Sequence, residues 1–199
     1  MIRAVILAAG QSQRMGQPKA GLLVADGGPT FAAAIVTTLQ AAGIDEVIVV
    51  AGAHLEAVAA AVRGLAGVRV LHHQGWPAGQ LSSLVAGLDA ADTPELAALL
   101  VTLVDIPRVR RATVAALIQA WRTSRAPIVR PAVGTRHGHP VIFDRVTFAD
   151  LRSAPVDVGA KAVIGAWRDR VLDVPTDDSG VLMDVDTPQE YDAFRRQGA

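Results

Sequence analysis

Apolar runs of strand length recur along this chain, separated by segments that read as helices. The runs at residues 4–8, 46–51 and 97–104 are Ala-Val-Ile-Leu-Ala, Glu-Val-Ile-Val-Val-Ala and Ala-Ala-Leu-Leu-Val-Thr-Leu-Val. They are continuously apolar rather than alternating, so a sheet built from them must be covered on both faces. Helical stretches are expected at 29–42, ended by Gly43, and at 54–65, 81–91 and 110–122, with a third strand at 68–72. Strands alternating with helices imply right-handed βαβ units and a mostly parallel sheet. Past Ala126 the rhythm changes. Residues 128–131 and 140–143 are short, with Gly134 and Gly138 between them, and read as an added hairpin or antiparallel edge pair. A helix at 157–167, a strand at 171–174 and a helix at 187–196 complete the pattern. Thr187 as N-cap, Pro188 at the first helical position and Glu190 three residues after the cap form a strong helix start.

With 199 residues, the chain reads as one domain, 1–199, large enough to bury most of its apolar surface. Aromatic residues make up only 4%, which suits α/β layers better than an aromatic-rich sandwich. Nineteen basic and nineteen acidic residues cancel, so no global field draws nucleic acid or an anionic membrane. Any polyphosphate site must then be a local concentration of cations and backbone donors. The absence of cysteine excludes disulfides, thiolate-zinc sites and thiol nucleophiles. Met1-Ile2-Arg3 runs straight into the first strand, and no apolar stretch approaches the ~20 residues that span a bilayer. The expectation is a soluble cytoplasmic protein.

In open α/β sheets, ligands bind at the carboxyl ends of the strands, so residues just after the apolar runs deserve the closest reading. After the first comes Leu7-Ala8-Ala9-Gly10-Gln11-Ser12-Gln13-Arg14-Met15-Gly16-Gln17-Pro18-Lys19. A glycine-containing loop with two cations suits a polyphosphate. It matches neither G-x-G-x-x-G nor G-x-x-x-x-G-K-[ST], and taken alone it also fits an ordinary surface turn. Asp105 follows the fourth strand directly and is placed either to hold Mg²⁺ or to cap the next helix. In Asp184-Val185-Asp186-Thr187-Pro188, alternation puts both carboxylates on one face if the segment is extended. Asp186 also suits the following helix dipole. In Gly75-Trp76-Pro77-Ala78-Gly79-Gln80-Leu81-Ser82-Ser83, Gly79, Ser82 and Ser83 offer small donors at a helix start, where the serines also fit as N-caps. His72-His73 and His137-Gly138-His139 make weak zinc signals. Trp76 and Trp121 carry no assignment.

The first loop resembles the L-A-A-G-x-S-x-R-M-G-x-x-K signature of the MobA/MocA-like nucleotidyltransferase family, which includes the molybdenum-cofactor cytidylyl- and guanylyltransferases. Four further segments follow in order. Residues 76–84 resemble W-x-x-G-M-x-x-S-L, with Gln80 in place of Met. Asp184 to Tyr191 resembles D-x-D-T-P-x-[DE]-[YF]. Gly138-His139-Pro140 and Asp157-Val158-Gly159-Ala160-Lys161 resemble the acceptor-side segments of the molybdenum-cofactor branch. The resemblance implies a three-layer, Rossmann-like nucleotidyltransferase fold, with a mostly parallel sheet and a small antiparallel addition. It implies Arg14, Lys19, Asp105 and Asp186 as catalytic groups, with Asp105 and Asp186 holding Mg²⁺ or Mn²⁺. Leu7, Ala8, Ala9, Gly10, Gly79, Ser82 and Ser83 would contact the nucleotide; His139, Asp157, Gly159 and Lys161 would face the acceptor. The implied substrates are an NTP and a phosphorylated acceptor. Ala9, where guanylyl-transferring relatives carry Gly, favours CTP over GTP, and the acceptor-side segments favour molybdopterin cofactor. A recipient molybdoenzyme or its chaperone would then be a partner. Leu103-Val104-Asp105-Ile106-Pro107 departs from the Gly-Asp-Gln-Pro form common among related cytidylyltransferases. Competing readings are a guanylyltransferase, an enzyme acting on another phosphorylated small molecule, and a non-catalytic cofactor-handover protein.

Overall fold

The computed structural model describes residues 1–197. In chain order the elements are β1 (Ile2–Ala8), α1 (Phe31–Ala41), β2 (Val47–Ala51), α2 (Leu55–Ala61), β3 (Val68–His72), α3 (Gln80–Ala91), β4 (Ala98–Leu103) and α4 (Arg111–Ser124). There follow β5 (Ile128–Val133), β6 (Arg136–His137), β7 (Val141–Asp144), α5 (Phe148–Ser153), α6 (Ala160–Ala166), β8 (Val171–Pro175) and α7 (Pro188–Arg196). The sheet runs β3-β2-β1-β4-β7-β5, with β6 and β8 both bonded to β5. β1 pairs in parallel with β2 and β4, whereas β7 runs antiparallel to β4 and to β5. β8 returns parallel to β5. The expected antiparallel addition is therefore an interior strand with a hairpin beside it, not an edge.

Alternation along each strand divides its side chains between two cores. Ala4, Ile6 and Ala8 of β1 join Val47 and Val49 of β2 and Leu100 of β4 on one face, beneath α1, α2 and α4. Val5 and Leu7, with Ile48, Val50, Leu99 and Val101, meet α3, α5 and α6 on the other. This three-layer arrangement is why the strands read as unbroken apolar runs. At about 1.5–3 kcal/mol for each large apolar side chain fully buried, the two cores hold the sheet, and the loops at the strand ends are free to carry charge. No helix among the described residues is long and apolar enough to cross a membrane.

Two helix boundaries and one additional helix differ from expectation for identifiable reasons. α2 ends at Ala61, four residues early, where Val62 leaves helical geometry and a turn leads to Gly64 at φ +82°. α6 starts at Ala160, not Asp157: the Pro155 carbonyl accepts from Val158 N and Gly159 N, and Gly159 takes φ +72°. Asp157 and Gly159 thus lie on a turn before the helix. α5 had no counterpart in the pattern because six residues are too few to show helical periodicity. The capping box of α7 is present as expected.

Asp105 does not cap α4, whose N-cap residue is Arg110. The start of α4 is satisfied from 65–68 residues away by Asp178, which is only 3% exposed. Its Oδ2 accepts from Arg110 N at 2.8 Å and Thr113 Oγ1 at 2.7 Å, and its Oδ1 accepts from Gly180 N at 3.0 Å. Asp178→Ala leaves several buried donors without an acceptor. It should lower stability by about 2–4 kcal/mol, seen as a fall in the urea midpoint at unchanged slope.

Candidate functional site

The loop after β1 is shaped by one polar turn and one apolar anchor. Ser12 adopts φ +52°, unusual for a residue with a side chain. Its carbonyl accepts from Met15 N at 3.1 Å and Gly16 N at 3.0 Å. Met15, 3% exposed, plugs into a third apolar cluster with Leu22, Phe31, Val185 and Phe194. Arg14, next to that anchor, remains largely in solvent. Pro18 precedes a short 3₁₀ turn, Lys19–Gly21, that directs Lys19 inward.

Two carboxylates meet Lys19. Asp105 lies just beyond β4, and Asp186 lies on the extended segment entering α7. Val185 N donates to the Asp105 carbonyl at 3.0 Å, which brings the two segments side by side. Lys19 Nζ donates to Asp105 Oδ2 at 2.9 Å and also to Asp186 Oδ1. Arg14 Nη2 donates to Asp186 Oδ2 at 2.6 Å. Burial opposes the charge on Lys19, but its bonds and proximity to Asp186 and Asp105 outweigh that and raise its pKa above the ordinary lysine value. Burial likewise opposes ionisation of Asp186, yet Lys19 and Arg14 prevail and hold its pKa below the usual aspartate value.

Asp105 Oδ1 is buried with no hydrogen-bond partner. An orphaned carboxylate oxygen beside a second carboxylate fits a hard divalent cation, which prefers oxygen ligands and takes the remainder from water and substrate phosphate. Among the described residues no group of three or more His, Asp or Glu side chains is placed to hold a metal ion.

Two clefts open at the carboxyl ends of the strands, of about 660 and 610 Å³. The first is lined by Leu7, Ala8, Ala9, Gly10 and Arg14 from the first loop, joined by Lys19, Gly79, Ser83, Asp105 and Asp186. His139, Asp157, Gly159 and Lys161 gather in the second. Leu7, Gln80 and Leu103 line both and form their common wall. Burial holds the His139 imidazole below the ordinary histidine pKa, although the Val101 carbonyl, 3.4 Å from Nδ1, and the charge of Asp105 work the other way.

Ser82 lines neither cleft. Its hydroxyl donates toward the Gly75 and Gly79 carbonyls, and the His73 ring lies 3.1 Å from it, so it fastens the turn before α3. Asp184 is exposed and lines neither cleft; only Asp186 of that pair does. The pattern missed Trp76 and His54 on the first cleft and Arg130 on the second. Arg130 and His137 are held by one carboxylate, Asp173, at 2.6 and 3.0 Å. Trp76 opens the segment that resembles W-x-x-G-M-x-x-S-L, whereas His54 and Arg130 belong to no recognisable spacing. The position of His54 just after β2 could have flagged it, but Arg130, inside β5, carries no such signal.

A three-layer α/β fold whose first loop bonds two cations to two carboxylates beside a cleft is an arrangement suited to holding a polyphosphate. Residues 4–171 match the MobA-like NTP transferase domain, and the chain belongs to that family of nucleotidyltransferases. Rv0371c from Mycobacterium tuberculosis is 29% identical, with a TM-score of 0.82 over 98% of this chain and 97% of that one. A manganese complex of Rv0371c superposes with a TM-score of 0.78 at 28% identity, covering 98% of this chain and 97% of that one. A nucleotidyl transferase from Methanothermobacter thermautotroptrophicus is 25% identical, with a TM-score of 0.82 over 99% and 97% of the two chains. No curated protein matches the chain.

The shifts of Lys19 and Asp186 set a pH window for this ion cluster. Asp186, lowered on folding, contributes fully above the unfolded aspartate value of about 3.9 and loses its contribution as pH falls through the folded value. Lys19, raised on folding, contributes fully below about 10.4 and loses its contribution as pH climbs through its folded value. The stability difference between wild type and Lys19→Met should therefore be level from about pH 5 to 9 and shrink on either side. Denaturant unfolding across pH checks this; a difference that persists undiminished below pH 2 would show that the ion pairs do not supply it.

Proposed function

We propose that this nucleotidyltransferase moves a CMP unit from CTP to the terminal phosphate of a molybdopterin-type cofactor and releases pyrophosphate. The observation that carries the reading is the shared wall: one cleft gathers the phosphate-binding loop and both carboxylates, and the adjoining cleft gathers the acceptor-side segments. Ala9, in the first cleft, supports CTP because guanylyl-transferring relatives carry Gly there. Gly138-His139-Pro140 and Asp157 to Lys161, in the second, support the pterin. A recipient molybdoenzyme or its chaperone would then accept the product.

The acceptor phosphate attacks the α-phosphorus, the bond from that phosphorus to the oxygen bridging to the β-phosphate breaks, and pyrophosphate leaves with the bonding electrons. A phosphate monoester has its second pKa near ~6 and attacks as an anion, so no activated serine or histidine is required. Catalysis rests on alignment and neutralisation of charge. Asp105 and Asp186 would hold Mg²⁺ or Mn²⁺, as the manganese complex of Rv0371c encourages; the ion supplies positive charge to the phosphate oxygens. Lys19 and Arg14 neutralise charge building on the departing pyrophosphate. Lys19, nearly buried, does so with little screening from water. Backbone at Leu7 to Gly10 faces the nucleoside, and Lys161 offers a cation to the acceptor.

Pyrophosphate release measured with Mg²⁺ and isolated molybdopterin cofactor should be rapid with CTP and slow with GTP. Faster release with GTP would overturn the role given to Ala9, and release only with a sugar 1-phosphate would overturn the pterin assignment. Asp105→Ala should abolish turnover with the fold intact, because the change lies at a strand end; undiminished metal-dependent turnover would refute the metal assignment. Lys19→Ala should lower kcat by a factor on the order of 10²–10³, whereas an effect confined to KM would mean uniform binding of ground and transition states.

A further inference from the structure

The lining of the first cleft combines charged and uncharged residues. Its cations and carboxylates come from Arg14, Lys19, Asp105 and Asp186, while Ala8, Ala9, Trp76, Pro77 and Ser83 bring none. Trp76 is the one Phe, Tyr or Trp among the lining residues, which also include the His54 imidazole.

The position of that indole is built into the backbone. Gly52 follows β2 directly, and a Cβ there would stand 2.6 Å from Trp76 Cγ and 2.5 Å from the Ala9 carbonyl oxygen. Trp76 thus lies over a spot kept bare by the missing side chain, beside the backbone of Ala9. Ala53 N donates to the same Ala9 carbonyl at 3.2 Å, which fixes the ends of β1 and β2 under the ring. Trp76 begins a 3₁₀ turn, Trp76–Ala78, whose ends are closed by Trp76 N donating to the His73 carbonyl and Gly79 N donating to the Trp76 carbonyl, at 3.3 and 3.0 Å. Ser82 binds the Gly75 and Gly79 carbonyls around it. One part of the indole packs on the core cluster that contains Leu7, Ala9 and Leu81, and the rest lines the cleft. A rigid aromatic surface, half-buried and pinned beside the Ala9 backbone in the wall of the first cleft, is suited to a flat heterocycle.

We infer that Trp76 is the wall against which the nucleobase packs, and that it supplies affinity for the nucleoside part of the triphosphate and none for the phosphates. This rests on the nucleotide reading of the first cleft. Every base presents a π-face, so the contact strengthens binding of pyrimidine and purine alike. The choice between them then falls to polar groups at the base edge, for which the Ala9 backbone and Gln80 are placed.

The test compares CTP with inorganic tripolyphosphate, which has the phosphates and no base, by calorimetry on the full chain with Mg²⁺. Trp76→Ala should weaken CTP by about 5- to 150-fold, the range that base–aromatic stacking supplies, and leave tripolyphosphate unchanged. Trp76→Phe should retain most of the CTP affinity and thereby controls for the integrity of the turn. Trp121 is buried in the core and Trp167 is bonded to Asp150, and neither lines the first cleft. CTP should therefore quench the fluorescence of the wild type and leave that of Trp76→Phe unaltered. CTP binding to folded Trp76→Ala within twofold of wild type would overturn the assignment, as would equal weakening of CTP and tripolyphosphate. A wild-type protein that binds no nucleoside triphosphate would instead overturn the nucleotide reading on which the inference stands.

Discussion

The site depends on one ammonium group held between two carboxylates distant in sequence. Lys19 reaches Asp105 across 86 residues and Asp186 across 167. Two partly buried carboxylates brought together without a cation would repel each other and lose solvation. Lys19 and Arg14 offset their charge within one small volume. Such clusters contribute little to net stability once desolvation is counted. Their value here is positional, because the charge arrangement draws the first loop, the end of β4 and the entry to α7 to a single point.

The apolar packing behind the cluster makes that convergence affordable. Met15 from the first loop, Phe31 from α1, and Val185 and Phe194 from the C-terminal segment bury one another. Phe31 and Phe194 lie 5.0 Å apart at their ring centres, and the Arg108 guanidinium sits 3.8 Å above the Phe194 ring. Tyr191 exchanges hydrogen bonds with the Leu23 backbone, accepting at 3.2 Å and donating at 2.9 Å. α7 is thus a latch over the first loop. Its capping box sets the direction in which Asp186 leaves the chain, since Glu190 accepts from the N–H groups of both Asp186 and Thr187. Specific contacts remote from the chemistry decide whether the carboxylate faces the cleft.

How much of this could be read from the sequence follows from the range of each interaction. The strands were legible because two-sided burial forces continuous apolar runs, and the start of α7 was legible because a capping box is complete within four residues. The first loop was legible because its glycines and cations sit together beside a strand end. Features that depend on partners far along the chain were not. Nothing near Arg110 foretells that Asp178 satisfies the start of α4. Nothing near Ser82 tells that its hydroxyl is spent on the preceding turn. The start of α6 was misplaced because Asp157 to Lys161 has helix-compatible composition, and only the bonds to the Pro155 carbonyl and the positive φ of Gly159 reveal a turn.

The antiparallel strand β7 explains why a fold of this kind has two adjoining clefts. A purely parallel sheet would place each successive strand end at the same rim and carry one crevice along it. Between the parallel strands β4 and β5, the reversed β7 enters by its N-terminal end at that rim, directly after His139 and Pro140. His139 N donates to the Val181 carbonyl at 3.0 Å, tying this entry to the segment that leads to Asp186. The second cleft can therefore open beside the first with only Leu7, Gln80 and Leu103 between them. For a transfer reaction that separation matters more than the depth of either cleft. The two reactants must meet at a phosphorus atom while their bodies stay apart, and a thin, uncharged shared wall, with Arg14 and Lys19 in one cleft and Arg130 and Lys161 in the other, suits both requirements.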